Sequence, residues 1–175
     1  MASEGEERDG VRLIFVYGTL KRGFYNHRLI EDLMRTGDAT YLGPHTTVGA
    51  FPLVCGPHGI PYLINLPHSS GHRIKGELYS VSSHQGQARL DELEGVDRGH
   101  YERLPLSVEG EGGNVLEVEA YFAHRGFGEA LWKRCGEKGF GEYSVEMGNK
   151  YVRREDRPLH SSFIHDIHEF ISQGY

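Results

Sequence analysis

The stretch Val11-Arg12-Leu13-Ile14-Phe15-Val16-Tyr17, running directly into Gly18-Thr19-Leu20-Lys21-Arg22-Gly23, decides how the rest of the chain is read. Its first half is β-branched, aromatic and nearly all apolar, which is the composition of a strand buried on both faces. Its second half is a glycine-bracketed turn. A buried strand that ends in such a turn can aim several backbone N–H groups at one point, and a concavity of that kind holds a carboxylate or a phosphate. Gly18 and Gly23 have the spacing of a P-loop, but Phe24 and Tyr25 stand where Lys and Ser or Thr are required. A nucleotide-phosphate loop is therefore excluded, while an ordinary strand-ending turn remains open.

Working outward, Asn26 is placed to cap a helix over His27 to Arg35, with Leu29, Ile30, Leu33 and Met34 on one face. Short strand-like pieces follow at Phe51 to Val54, Tyr62 to Leu66 and Arg73 to Val81. Ser82 and Gln85 have the form of a capping box for a second helix that reaches Glu94 and stops at a left-handed Gly95. Tyr101 to Glu109 and Val115 to Ala123 read as two strands joined through Gly110 to Asn114. In the second of them Leu116, Val118, Ala120 and Phe122 alternate with Glu117, Glu119 and Tyr121, which predicts one buried face. Gly126 to Gly148 reads as irregular, with a short helix around Ala130. Phe163, Ile164, Ile167, Phe170 and Ile171 form a helical stripe at the end of the chain. Strands outnumber helices and their order is mixed. The expected fold is an α+β domain with a mostly antiparallel, barrel-like sheet and two or three helices.

The 175 residues suit one domain rather than two. Glycine occurs 24 times, about twice the usual ~7%, with no collagen period. Such an excess in an aromatic-containing chain signals tight or left-handed backbone. The formal net charge of −6 argues against a polyanion-binding surface, so no nucleic-acid partner is expected. The two cysteines, Cys55 and Cys135, make neither a disulfide framework nor a metal motif, which points to a reducing, cytoplasmic setting. Met1 to Gly10 is polar and acidic, unlike a signal peptide, and reads as a tail. No apolar run approaches the ~20 residues that span a bilayer, so no membrane partner is expected.

Chemistry is carried by few segments. Asp91-Glu92-Leu93-Glu94-Gly95 places carboxylates at a helix C-terminus, where the macrodipole disfavours their charge. A carboxyl group there has a raised pKa and suits a general base. Glu94, beside the glycine stop, is the candidate, and Asp91 and Glu92 read as a solvated face. His165 and His168 lie one turn apart, but the motif lacks a third metal ligand. Cys55 reads as a small buried residue and Arg153 to Arg157 as a solvated, salt-bridged segment.

In order along the chain, Phe15 to Gly23 with Asn26-His27-Arg28, Phe51 to Val54, Gly59 to Leu63, Gly76-Glu77-Leu78-Tyr79, Leu90 to Glu94, Tyr101-Glu102-Arg103 and, at the tail, Tyr151 to Arg157 resemble the γ-glutamylcyclotransferase superfamily. The resemblance is nearest to its γ-glutamylamine cyclotransferase branch and the plant avirulence-induced-gene-like proteins. It covers roughly residues 11–157, leaving 1–10 as a tail and 158–175 as a helical extension. It implies a small mixed barrel with flanking helices. The implied activity is release of 5-oxoproline from a small γ-glutamyl substrate without metal or cofactor. Glu94 would be the acid/base, the turn Tyr17, Gly18, Thr19 and Leu20 would hold the α-carboxylate, and Tyr101 would line the pocket. A side chain at position 18 would block the approach to that turn. The alternative is a non-catalytic binding or regulatory module on the same fold.

Overall fold

A computed structural model describes residues 11–67, 70–158 and 162–173. The tail expected at residues 1–10 and part of the terminal extension lie outside the described residues. The apolar stretch of the opening segment forms strand β1 (Arg12–Val16). It is followed by α1 (His27–Arg35), β2 (Ala39–Thr47), β3 (Leu53–Cys55), β4 (Pro61–Leu63), β5 (Lys75–Val81) and α2 (His84–Leu93). Then come β6 (Tyr101–Gly110), β7 (Val115–Ala123), α3 (Gly128–Arg134), α4 (Val145–Gly148) and α5 (Phe163–Ser172).

Five strands close into a barrel in the order β1, β5, β2, β6, β7 and back to β1. Every contact in the ring is antiparallel except β1 with β7, which run parallel through Ile14 and Phe15 against Glu119 and Ala120. The β3–β4 hairpin is added on the free end of β7, where Leu63 pairs with Phe122. Because side chains alternate along a strand, β1 feeds two apolar clusters. Phe15 and Tyr17 pack with Leu63, Leu78, Ala120 and Phe122 in one. Ile14 and Val16 pack in the other with Ile30 and Leu33 of α1, Leu90 of α2 and Tyr121. The strand is thus buried on both faces, as its composition predicts.

Strand β2 is absent from the sequence reading. Gly43-Pro44 looks like a break, but the pairing with β5 shifts register between Tyr41 and Gly43 and continues. Gly43 has φ +98° at that irregularity, which its lack of a Cβ permits. The face assignment of β7 also changes. Leu116 is exposed, whereas Tyr121 is buried, because the outward side of the strand's last residues lies under α2. The cap of α2 is Ser83 rather than Ser82, and its side chain accepts the Gly86 N–H. Gly95 has φ +65°, the left-handed stop expected of it. In the glycine-rich region α3 and α4 are both present. A Cβ on Gly139 would lie 2.5 Å from Leu53 O, so that glycine allows close backbone packing against β3. The terminal helix α5 packs into the main core through Ile167, which is 1% exposed.

Candidate active site

The turn after β1, the end of α2 and the residues after α4 meet around one cavity of about 610 Å³. Its lining includes Tyr17, Gly18, Thr19, Leu20, Glu94 and Tyr101, so the structure brings every sequence-predicted site residue to the same space.

The turn is held by its own bonds. Lys21 N–H donates to Gly18 O and Asn26 N–H to Thr19 O, while the Asn26 side-chain amide donates to Thr19 Oγ1. Asn26 therefore clamps the turn and does not cap α1 with its side chain, which corrects the sequence reading. Among the described residues no acceptor meets the N–H groups of Gly18, Thr19 or Leu20. Gly18 is required by packing. A Cβ there would lie 2.5 Å from Cγ of Pro61, a ring that cannot swing aside.

Glu94 is the C-cap of α2, and its carboxyl group faces the cavity. Its pKa is pushed up to about 8, first by burial and then by the neighbouring Asp91 carboxylate, with Arg154 opposing. The helix-end argument gives the same direction, but the shift comes from desolvation and from Asp91. Asp91 is not on a solvated face. Its Oδ1 accepts from the Tyr121 hydroxyl (2.7 Å) and the Gln87 amide (3.0 Å) and lies 3.3 Å from Arg103 Nε. This fixed anion sets the field at Glu94. Periodicity could not reveal it, since Arg103 and Tyr121 come from β6 and β7 and only Gln87 from its own helix. Glu92 is exposed, as expected.

The tyrosine hydroxyls around Glu94 already donate elsewhere. Tyr17 donates to Tyr121 O at 2.6 Å, Tyr101 to Pro61 O at 2.6 Å, and Tyr121 to Asp91. Tyr101 thus offers the cavity its ring, which stacks on Tyr62 at 5.2 Å. The Tyr62 hydroxyl meets His100 Nε2 at 2.6 Å, and burial holds that imidazole neutral, with its pKa lowered to about 3.

The outer wall comes from segments whose sequence gave no such signal. Arg154 and Arg157 line the cavity; Arg153 to Asp156 are exposed, as the run's composition predicts, with Arg153 paired to Asp156 at 2.8 Å, and Arg157 is half-buried. Helix α5 contributes Phe163, stacked on His100 at 4.4 Å, and Asp166, 3.0 Å from His58 Nε2. His165 and His168 are both exposed, with His165 beside Glu169. Burial raises the Cys55 thiol to about 11, which removes it as a nucleophile.

The family described as Gamma-glutamyl cyclotransferase, AIG2-like, matches residues 14–143. The chain belongs to this family. A protein of Arabidopsis thaliana, provisionally named a gamma-glutamylcyclotransferase, is 46% identical over 173 residues and covers 91% of each chain. The Gamma-glutamylaminecyclotransferase of Rattus norvegicus is 46% identical over 114 residues, 62% of this chain and 74% of its own. The crystal structure of an AIG2-like protein from mouse superposes with a TM-score of 0.68 at 34% identity, covering 84% of this chain and 99% of that one. The barrel with flanking helices is therefore that of the gamma-glutamylcyclotransferases. The span matched to the family holds the Tyr17–Leu20 turn, Glu94 and Tyr101, whereas Arg154, Arg157 and α5 lie beyond it. No helix among the described residues is long and apolar enough to cross a membrane.

Proposed function

We propose that the protein is a γ-glutamylcyclotransferase, of the γ-glutamylamine type, in which Glu94 is the general acid/base. The observation that carries this reading is a carboxyl group of raised pKa, with no hydrogen bond among the causes of its shift, in the same cavity as the free N–H groups of the Tyr17–Leu20 turn. Family membership supplies the substrate class, a small γ-glutamyl compound. The amine type rests on the named rat relative. The two free cysteines suit a cytoplasmic setting.

The reaction needs a nucleophile that the substrate already carries. The α-amine attacks the γ-carbonyl carbon, closing a five-membered lactam. The tetrahedral intermediate collapses by breaking the bond to the leaving nitrogen, and 5-oxoproline and a free amine depart. The α-nitrogen loses two protons, one before attack and one from the ring nitrogen of the intermediate. Glu94 takes each in turn and passes them to the leaving nitrogen, the first as the C–N bond breaks and the second to the departing amine, which leaves as an ammonium, so protons balance without water. A carboxylate of ordinary pKa would be too weak a base. At about 8, Glu94 is close to the roughly 8 of a chain α-amine, so transfer in either direction is feasible. In the empty site at neutral pH the group is mostly neutral, and an arriving ammonium draws it to the charged form.

The turn's N–H groups would hold the α-carboxylate and so fold the glutamyl chain toward its reactive conformer. Orientation of this kind contributes up to roughly 7–11 kcal/mol in ideal cases. Tyr17, Tyr101 and Tyr121 all donate elsewhere, so the developing oxyanion would fall to the turn's backbone N–H groups or to the Tyr151 hydroxyl, which lines the cavity, accepts from Asn26 and Arg157 and keeps its own proton to donate. Incubating the purified protein with γ-glutamyl-ε-lysine and following 5-oxoproline and lysine tests the reading. Equimolar release of both is expected, and binding without cyclisation would replace it with the non-catalytic reading.

A further inference from the structure

The cavity is asymmetric in charge and depth. Its inner part, with Tyr17, Gly18, Leu20 and Tyr101, is buried. Its rim carries Arg28, Arg98 and Arg154, all exposed, and the half-buried Arg157. None of these four arginines has a carboxylate within 4 Å among the described residues, although the protein as a whole is acidic. Arg28 donates to the Tyr25 hydroxyl, Arg98 to Glu92 O, and Arg157 to Val152 O and the Tyr151 hydroxyl. The side chain of Arg154 makes no hydrogen bond among the described residues. The acids on the same rim are already engaged, Glu155 by the Tyr25 hydroxyl and Asp166 by His58. A positive rim with one guanidinium unoccupied is a place for an anion.

On the cyclotransferase reading, on which this inference rests, the glutamyl half lies inside at Glu94 and the leaving amine projects to the rim. A cavity of about 610 Å³ has room for both. We propose that Arg154 is the receptor for a carboxylate on the leaving half of the substrate. The preferred substrates are then γ-glutamyl compounds whose departing amine carries a carboxylate, and amines with a second positive charge and no carboxylate are disfavoured. Arg154 lies in the segment after α4, beyond the residues 14–143 matched to the family model. Its field also reaches Glu94, where it is the contribution that favours the carboxylate.

The test compares kcat/KM for three γ-glutamyl amides of similar length, made from aminocaproic acid, pentylamine and cadaverine. The wild-type protein should favour the aminocaproate amide over the pentylamide about tenfold, as one charge-assisted contact at an exposed site allows, with the cadaverine amide lowest. Arg154→Gln should remove most of that ratio, and Arg154→Glu should place the cadaverine amide above the aminocaproate amide. Arg153→Gln alters an adjacent arginine held by Asp156, and it should keep the wild-type ratio. Equal rates for the three amides in the wild type would overturn the proposal without relying on any variant. An equal loss on all three in Arg154→Gln would overturn it too, since Arg154 would then serve the glutamyl half. If none of the amides is cyclised, the cyclotransferase reading itself fails and this inference with it.

Discussion

The floor and the rim of the cavity are built by opposite means. The floor comes from the turn after β1 and the end of α2, both wedged into the barrel core, and its polar groups are placed by packing. Gly18 sits against Pro61, Tyr101 is stacked on Tyr62, and Asp91 is held by Tyr121 and Gln87. The rim comes largely from the segment after α4 and from α5, with exposed arginines on short-range bonds. A buried floor can shift the pKa of a carboxyl group by several units, because desolvation is strong there. An exposed rim acts only through charges that water screens. On the proposed reading, the chemistry belongs to the floor and the choice of leaving group to the rim. Variants should separate the two.

The largest effect is expected from Glu94→Gln. It keeps the shape and removes the base, so kcat should fall by about 10²–10⁴-fold or more, while circular dichroism stays unchanged. If kcat stays within a few-fold of the wild type, the division fails at its first step. Gly18→Ala comes next. The new methyl group meets the Pro61 ring, which is tied to Tyr101 through its carbonyl. A loss of about 1–3 kcal/mol in stability follows. Displacement of the turn should lower kcat/KM roughly 100-fold. Normal activity in a less stable protein would show that the glycine serves packing alone. A smaller effect, about tenfold and confined to substrates with an acidic leaving group, belongs to Arg154→Gln. The smallest is Asp91→Asn, which removes the anion that helps raise Glu94 and should move the acid limb of the kcat/KM profile to lower pH.

The raised pKa of Glu94 also has a stability consequence. The folded value of about 8 lies above the ordinary 4.5, so the folded protein holds the proton more tightly than the unfolded chain does. The contribution is fully present below about 4.5 and is lost as pH rises through about 8. The melting temperature of Glu94→Gln relative to the wild type should therefore climb between pH 5 and pH 8. A constant difference would mean that the carboxyl group is solvated.

The floor was largely legible in the sequence and the rim was not. An apolar strand before a glycine turn, and an acid beside a left-handed glycine, are local patterns. Each is legible in a few adjacent residues, Tyr101 enters only through the family resemblance, and the structure places Tyr17 to Leu20, Glu94 and Tyr101 in one cavity. Strand β2 is not legible because Gly43-Pro44 has the local form of a turn, and only pairing with β5 carries the strand across it. Tyr121 and Asp91 were placed with solvated residues because the helix and strand that cover each other are about 30 residues apart. Arg154 and Arg157 looked like ordinary surface charge. Nothing adjacent in the sequence says that a cavity opens beside them.

The central claim is that Glu94 drives cyclisation in this cavity. Its most direct test is 5-oxoproline release by the wild type and by Glu94→Gln, measured side by side on γ-glutamyl-ε-lysine, several γ-glutamyl amino acids and glutathione. The account predicts that the wild type releases 5-oxoproline with an equimolar amine from at least one of them, and that the folded Glu94→Gln protein releases essentially none. Release at near-normal rate by the variant, or none from any substrate by the wild type, would contradict it.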